Sequence, residues 1–214
     1  MEEDIELPVK KPIEESTTIG IDLGLKHFLI TSTGEKIDNP RCLRKLEKKL
    51  KEAQRRLSRK KKLSSNRRKQ KIRVAKIHEK ISNQRNDFLH KLTRRLVDEN
   101  QINTFCLETL NINGMNKNHS LAKSINDASW AIFNQYLKYK CEWAGKNIIK
   151  MGKYEPSSKK CNMCGWINKK LELKDREWIC KCVIKHNRDI NAAINIKQIG
   201  LGKPEFTLGG DRSK

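Results

Sequence analysis

Long apolar runs are missing from this 214-residue sequence, of which 36% is hydrophobic. No stretch approaches the roughly 18 to 20 consecutive apolar residues needed for a helical membrane span. The chain opens Met1-Glu2-Glu3-Asp4, acidic where an export signal is basic, and no apolar core follows. No internal repeat is evident. Three cysteines, Cys42, Cys106 and Cys141, stand alone rather than in a disulfide framework. They are expected to be reduced, buried, small hydrophobes, which points to the cytoplasm.

Acidic residues are scarcest where basic ones are densest. Residues 41–95 hold 23 Lys and Arg against 4 Asp and Glu, a net +19 out of the chain's +22. With so few carboxylates available for i,i+4 pairing, like charges repel unless a polyanion lies against them. Nucleic acid is the expected partner. A membrane is not, because no lipid-facing apolar stripe accompanies the basic run.

The length allows one large domain, or one domain with a small appendage. Residues 1–16, with Pro8, Pro12 and a concentration of acidic side chains, read as a linker or the remnant of a missing N-terminal domain. Thr17 to Leu23 and His27 to Thr33 are short β-patterned runs, with a turn at Ser32-Thr33-Gly34, and predict the start of an antiparallel meander. From Pro40 the period becomes helical. Leu43, Leu46, Leu50, Ala53 and Leu57 share one face, Ser64-Ser65-Asn66 interrupts, and Val74, Ile77, Ile81, Phe88, Leu92 and Leu96 resume, predicting a helical hairpin over 41–97. Its candidate phosphate contacts are Arg55, Arg56, Arg59, Lys60, Arg67 and Arg68.

Ile102 to Glu108 reads as a buried strand and Asn111 to His119 as a polar loop. Asn126-Asp127 is expected to cap a helix whose inward stripe is Trp130, Phe133, Leu137, Trp143 and Ala144. Asn147 to Met151 suits a last strand of the sheet, and Ala192 to Ile199 a closing helix.

The densest chemistry lies near the C-terminus. Cys161 and Cys164 form a C-x-x-C, and after fifteen residues Cys180 and Cys182 form a C-x-C. Two close pairs across a short loop can present four thiolates to one Zn²⁺. His186 is an alternative to one thiolate. The site is structural in kind, since protein fills all four positions. Asp189 follows at the start of the closing helix. Asp22 interrupts an apolar strand, where a carboxylate is costly without a compensating cation, and Glu108 ends another strand. If the three converged, Mg²⁺ or Mn²⁺ would relieve their repulsion. Spacing alone does not establish convergence.

Seven ordered stretches carry a family resemblance: Gly20 to Phe28, Asn39 to Leu43, Asn86 to Leu92, Leu107 to Met115, Leu121 to Trp130, Pro156 to Gly165 and Arg188 to Ile196. Together they resemble the C-terminal half of TnpB, the transposon-encoded protein akin to compact type V CRISPR effectors. The resemblance implies an α/β fold: an RNase H-like, RuvC-type nuclease domain with an inserted basic helical hairpin and a C-terminal zinc-ribbon insertion. It places the nuclease domain at 17–153, the zinc-binding module at 154–186, the final nuclease segment at 187–200 and a disordered tail at 201–214. It assigns Asp22, Glu108 and Asp189 as catalytic ligands of Mg²⁺ or Mn²⁺. It also implies DNA and a guide RNA as partners, and a place at a prokaryotic nucleoid.

The sequence departs from the family pattern in three places. The family's N-terminal β-barrel and helical recognition region have no counterpart, so guided cleavage is expected to need a separate N-terminal half or a second copy. The second cysteine pair, Cys180-Lys181-Cys182-Val183, is one residue short and lacks the usual glycine. Asn187 stands where an acid is usual. No tyrosine nucleophile motif for strand joining is present. Two functions therefore stay open: a transposon-associated, RNA-guided, metal-dependent endodeoxyribonuclease, or a truncated or repurposed nucleic-acid-binding protein that does not cleave.

Overall fold

A computed structural model of the chain describes residues 7–99, 101–152, 156–172 and 174–202. Part of the expected leading linker (1–6) and most of the expected tail (203–214) lie outside them.

The meander forms as expected: β1 (Thr18–Leu23), β2 (His27–Thr31) and β3 (Lys36–Asp38), each antiparallel to the one before. Next come α1 (Cys42–Ser58) and α2 (Ser65–Asp98), then β4 (Thr104–Glu108). A short helix α3 (Ile112–Met115) and the helices α4 (His119–Ala128) and α5 (Trp130–Trp143) lead into β5 (Asn147–Met151). β6 (Glu177–Ile179), β7 (Lys185–Asn187) and α6 (Arg188–Gly200) complete the elements. β4 lies parallel to β1 and β5 parallel to β4, giving a mixed five-stranded sheet in the order β3-β2-β1-β4-β5; β6 and β7 form a separate hairpin.

Period-2 alternation sorts the strand side chains onto two faces. Ile19, Ile21 and Leu23 of β1 and Phe105 and Leu107 of β4 face one way. They meet Leu89, Leu92, Leu96 and Val97 of α2 and Trp130, Phe133 and Leu137 of α5 in the main core. The opposite face takes α6. There Ile196 packs with Cys106 and Met151, and Gly20 lets the helix approach so closely that a Cβ would lie 2.0 Å from the Ala193 carbonyl oxygen.

At 34 residues α2 is about 51 Å long. Its last turns serve the sheet. Its earlier part pairs with α1 through Leu46, Leu50, Val74, Ile77 and Ile81, so much of the hairpin gains its stability from itself.

Three expectations are corrected. Asn126-Asp127 does not cap a helix that follows; it ends α4, and Ser129 in the left-handed region (φ 55°) breaks the chain into α5. Asp127 instead reaches across to α1, whose own N-cap position, Arg41, supplies no side-chain bond. Both Asp127 oxygens accept the Leu43 amide (3.0 and 3.1 Å), and Oδ1 also pairs with Arg85 (3.0 Å). The expected polar loop 111–119 contains α3, capped by Asn111. Trp143 does not join the core: it is 68% exposed and ends an edge-to-face row through Tyr139 and Tyr136, while Cys141 points inward. The lone thiols Cys42, Cys106 and Cys141 are buried, as expected.

Candidate metal centres and nucleic-acid interface

Among the described residues, Cys161, Cys164, Cys180 and Cys182 form the one set whose ligand atoms cluster as a metal would require, all within 4.8 Å of one another. Cys161 and Cys182 sulfurs are 3.8 Å apart and those of Cys164 and Cys180 3.3 Å. Tetrahedral Zn²⁺ with bonds of about 2.3 Å needs sulfurs about 3.8 Å apart, so the donor set fits the ion. The Trp166 amide holds the Cys164 thiol down at about 7, whereas burial pushes Cys180 up to about 12. His186 is buried beside the set, its Nε2 3.1 Å from Cys161 Sγ and its ring against Trp178.

Each pair of cysteines sits on a tight turn. In the first, Gly165 has φ 74° and its amide donates to the Cys161 carbonyl (2.9 Å). In the second, the Val183 amide donates to the Cys180 carbonyl (2.9 Å) and Val183 has φ 67°. A β-branched residue thus occupies a left-handed position where glycine is at ease.

Asp22, Glu108 and Asp189 come from three distant segments, and the charges of Glu108 and Asp189 both act on Asp22. Asp22 and Glu108 point to the α6 face at the carboxyl ends of adjacent parallel strands. The last paired residues are Ile21 and Leu107, and the same offset sets Asp22 beside Glu108, about one strand spacing away. Asp189 lies in the first turn of α6, with Asn187 as N-cap accepting the Ile190 amide (3.2 Å). Asn187 therefore has a structural task. Burial, then the charges of Glu108 and Asp189, push Asp22 up to about 8 against the opposing pull of Arg188. Burial also raises Glu108. The oxygens of the three do not cluster to ligand distance as the four thiols do; what they offer a hard divalent cation is a buried carboxyl at Asp22 whose ionisation is opposed by two neighbouring charges.

Two arginines attend Asp189: Arg176 Nη1 donates to Oδ2 (3.2 Å) and Arg188 Nε to Oδ1 (3.3 Å). Sequence reasoning missed Arg176, which precedes β6 with no motif to mark it. It also missed Asn191 and Asn195 of α6, whose signal was two amides four residues apart within the apolar run Ile190 to Ile196.

On the hairpin, Arg55, Arg56, Arg59, Lys60 and Arg68 are exposed. Arg67 differs: half-buried, it donates to the Leu57 and Lys60 carbonyls (2.9 and 3.3 Å) and so closes the α1 C-terminus. Between the two helices, Arg56, Arg59, Lys60, Lys69 and Arg73 line a groove that no carboxylate enters.

The fold is that of an α/β protein built like Cas12f1. One such solved structure, "Cryo-EM structure of the Cas12f1-sgRNA-target DNA complex", superposes with a TM-score of 0.63 at 21% identity over 87% of this chain and 51% of that one. Another, "Cryo-EM structure of CRISPR-Cas12f Ternary Complex", gives 0.65 at 23% identity over 91% and 41%. Residues 2–119 match the family model OrfB_IS605, described as "Probable transposase", and residues 130–196 match the Cas12f1-like TNB domain. The chain belongs to this transposon-encoded OrfB, or TnpB, family. A protein of Streptomyces pristinaespiralis named "Putative RNA-guided DNA endonuclease" is 45% identical over 87% of this chain and 46% of its own length. InsQ of Escherichia coli, which bears the same description, is 30% identical over 91% and 52%. The chain spans about half the length of these relatives.

Proposed function

We propose that this chain carries the nuclease portion of an RNA-guided DNA endonuclease, with a RuvC-type, RNase H-like active site at Asp22, Glu108 and Asp189. The observation that carries the reading is Asp22, held at about 8 by burial and by the nearby charges of Glu108 and Asp189. Mg²⁺ or Mn²⁺ bound there would neutralise the cluster and supply Lewis acidity and activated water for phosphodiester hydrolysis. Asp22 and Glu108 project from rigid strands, and Asp189 is oriented by Arg176 and Arg188. The exposed cations of the hairpin would hold the phosphate backbone of DNA or guide RNA independently of sequence. The four thiolates would bind structural Zn²⁺ and order the ribbon beside α6.

Cleavage of a labelled single-stranded DNA by the zinc-loaded protein in Mg²⁺ or Mn²⁺ tests this. Asp22→Ala, Glu108→Ala and Asp189→Ala should each abolish cleavage and leave DNA affinity equal or slightly raised, because each removes a negative charge from the binding path. Undiminished cleavage in any one would remove that residue from the site. Binding without cleavage by the unmodified chain would favour the non-cleaving reading.

A further inference from the structure

Helix α6 has two working faces. Ala192, Ala193 and Ile196 lie against the sheet, while Asn191 and Asn195, only 2% and 1% exposed, turn to the first cysteine turn. Asn191 Nδ2 donates to the Lys160 carbonyl (2.7 Å), and its Oδ1 accepts the Asn162 amide (3.0 Å). Asn195 Nδ2 donates to the Ser157 and Lys160 carbonyls (2.6 Å each). These bonds hold the backbone on either side of Cys161. The second half of the module holds the same helix from its other end: the Arg188 amide donates to the Arg176 carbonyl (2.8 Å), and the Arg176 side chain donates to Asp189.

Every one of these partners is backbone or side chain of the segment that the cysteines fold. If that segment melts, the buried amides of Asn191 and Asn195 lose their bonds, and a buried amide without a partner is expensive. Helix α6 would then have to shift to hydrate them. Asp189 stands two residues from Asn191 on the same rigid helix and would shift as well.

We propose that Asn191 and Asn195 are positioning residues that make the carboxylate site depend on the cysteine module: occupancy of the four thiolates by a cation sets the geometry in which Asp189 joins Asp22 and Glu108. The inference rests on reading those carboxylates as a divalent-cation site.

The test uses the full chain with Co²⁺ or Zn²⁺ on the thiolates, titrated with Mn²⁺ and followed by electron paramagnetic resonance. Asp22→Ala is the control for the site itself. Asn191→Ser and Asn195→Ser should keep the absorption spectrum of Co²⁺ on four thiolates yet bind Mn²⁺ about tenfold more weakly, the scale seen when residues that orient metal ligands are altered. Unchanged Mn²⁺ affinity with an intact Co²⁺ spectrum would overturn the coupling. Mn²⁺ binding that survives Asp22→Ala would instead overturn the carboxylate reading beneath it. Should either asparagine variant lose the Co²⁺ spectrum, hydrogen exchange on the unmodified chain decides. On removal of the thiolate-bound cation, amides 190–195 should exchange about tenfold faster while those of β1 and β4 do not change. Unaltered α6 exchange would refute the proposal.

Discussion

Replacing Val183 by glycine should tighten the hold of the cysteine module on Zn²⁺. Val183 adopts φ 67° and is 83% exposed, so packing returns little for its backbone strain. The left-handed region costs an L-residue about 1–2 kcal/mol, and β-branching puts valine at the upper end. Glycine removes that strain but gives back about 0.4–1 kcal/mol through the greater freedom of the unfolded chain. The net gain is about 1 kcal/mol. Because ordering of such a module is coupled to metal binding, this registers as roughly fivefold tighter Zn²⁺ binding. The matched experiment is Gly165→Ala in the first turn. Glycine there has φ 74°, and an added Cβ would come no nearer than 3.8 Å to the Lys160 side chain, so the loss would be one of backbone conformation alone. It should weaken Zn²⁺ by a smaller factor, about two- to threefold, because alanine is not β-branched and regains part of the cost through the unfolded chain. Competition against a chromophoric chelator reads both changes. Equal or weaker binding by Val183→Gly, beside a clear loss in Gly165→Ala, would show that the shortened turn relaxes its strain in some other way.

The metal-free protein should lose stability as pH rises from about 4 to about 8. The native state keeps the Asp22 proton in that window because its pKa is about 8, while the unfolded chain has released it near the ordinary carboxyl value of 3.8. The native state therefore binds more protons and the slope is negative, with a total of at most a few kcal/mol. Asp22→Asn should flatten it in urea titrations at pH 5 and pH 8, and an unaltered slope would count against the burial of that carboxylate. Charge reversal at Arg55, Arg56, Arg59, Lys60 and Arg68 should weaken DNA binding for every sequence and lower the salt slope by about 0.9 for each phosphate that is no longer neutralised. Arg67 is better left intact, since it closes α1; an unchanged slope would move the polyanion site off the hairpin. Gly20→Ala would set a Cβ 2.0 Å from the Ala193 oxygen and 2.7 Å from the Lys197 nitrogen, both backbone atoms of α6. It should cost roughly 3 kcal/mol or more in thermal unfolding, above the usual range for overpacking, because a helix rather than a side chain must move; a near-normal melting temperature would show that α6 can lift freely.

Local order was legible in the sequence because local rules govern it. Alternation in Thr18–Leu23, the three-four spacing from Leu43 to Leu57 and the break at Ser64 are each read within a few residues, and each element formed there. The expected capping by Asp127 failed because its partner, the Leu43 amide, lies 84 residues away. Trp143 was counted in the stripe yet faces solvent, because the three-four spacing of Trp130, Phe133 and Leu137 continues to Cys141, which takes the inward place.

By itself the sequence determined the concentration of positive charge, the four thiols in two close pairs and the identity of the three carboxylates, because composition and short spacing do not depend on folding. Only the tertiary structure decided that Asp22 and Glu108 lie side by side and that Asp189 is carried to them on α6. It also decided that Arg67 is structural and that Arg176 pairs with Asp189. Parallel pairing of β1 with β4, and the close seating of α6 on Gly20, bring together residues more than 80 positions apart, and no local periodicity encodes that distance.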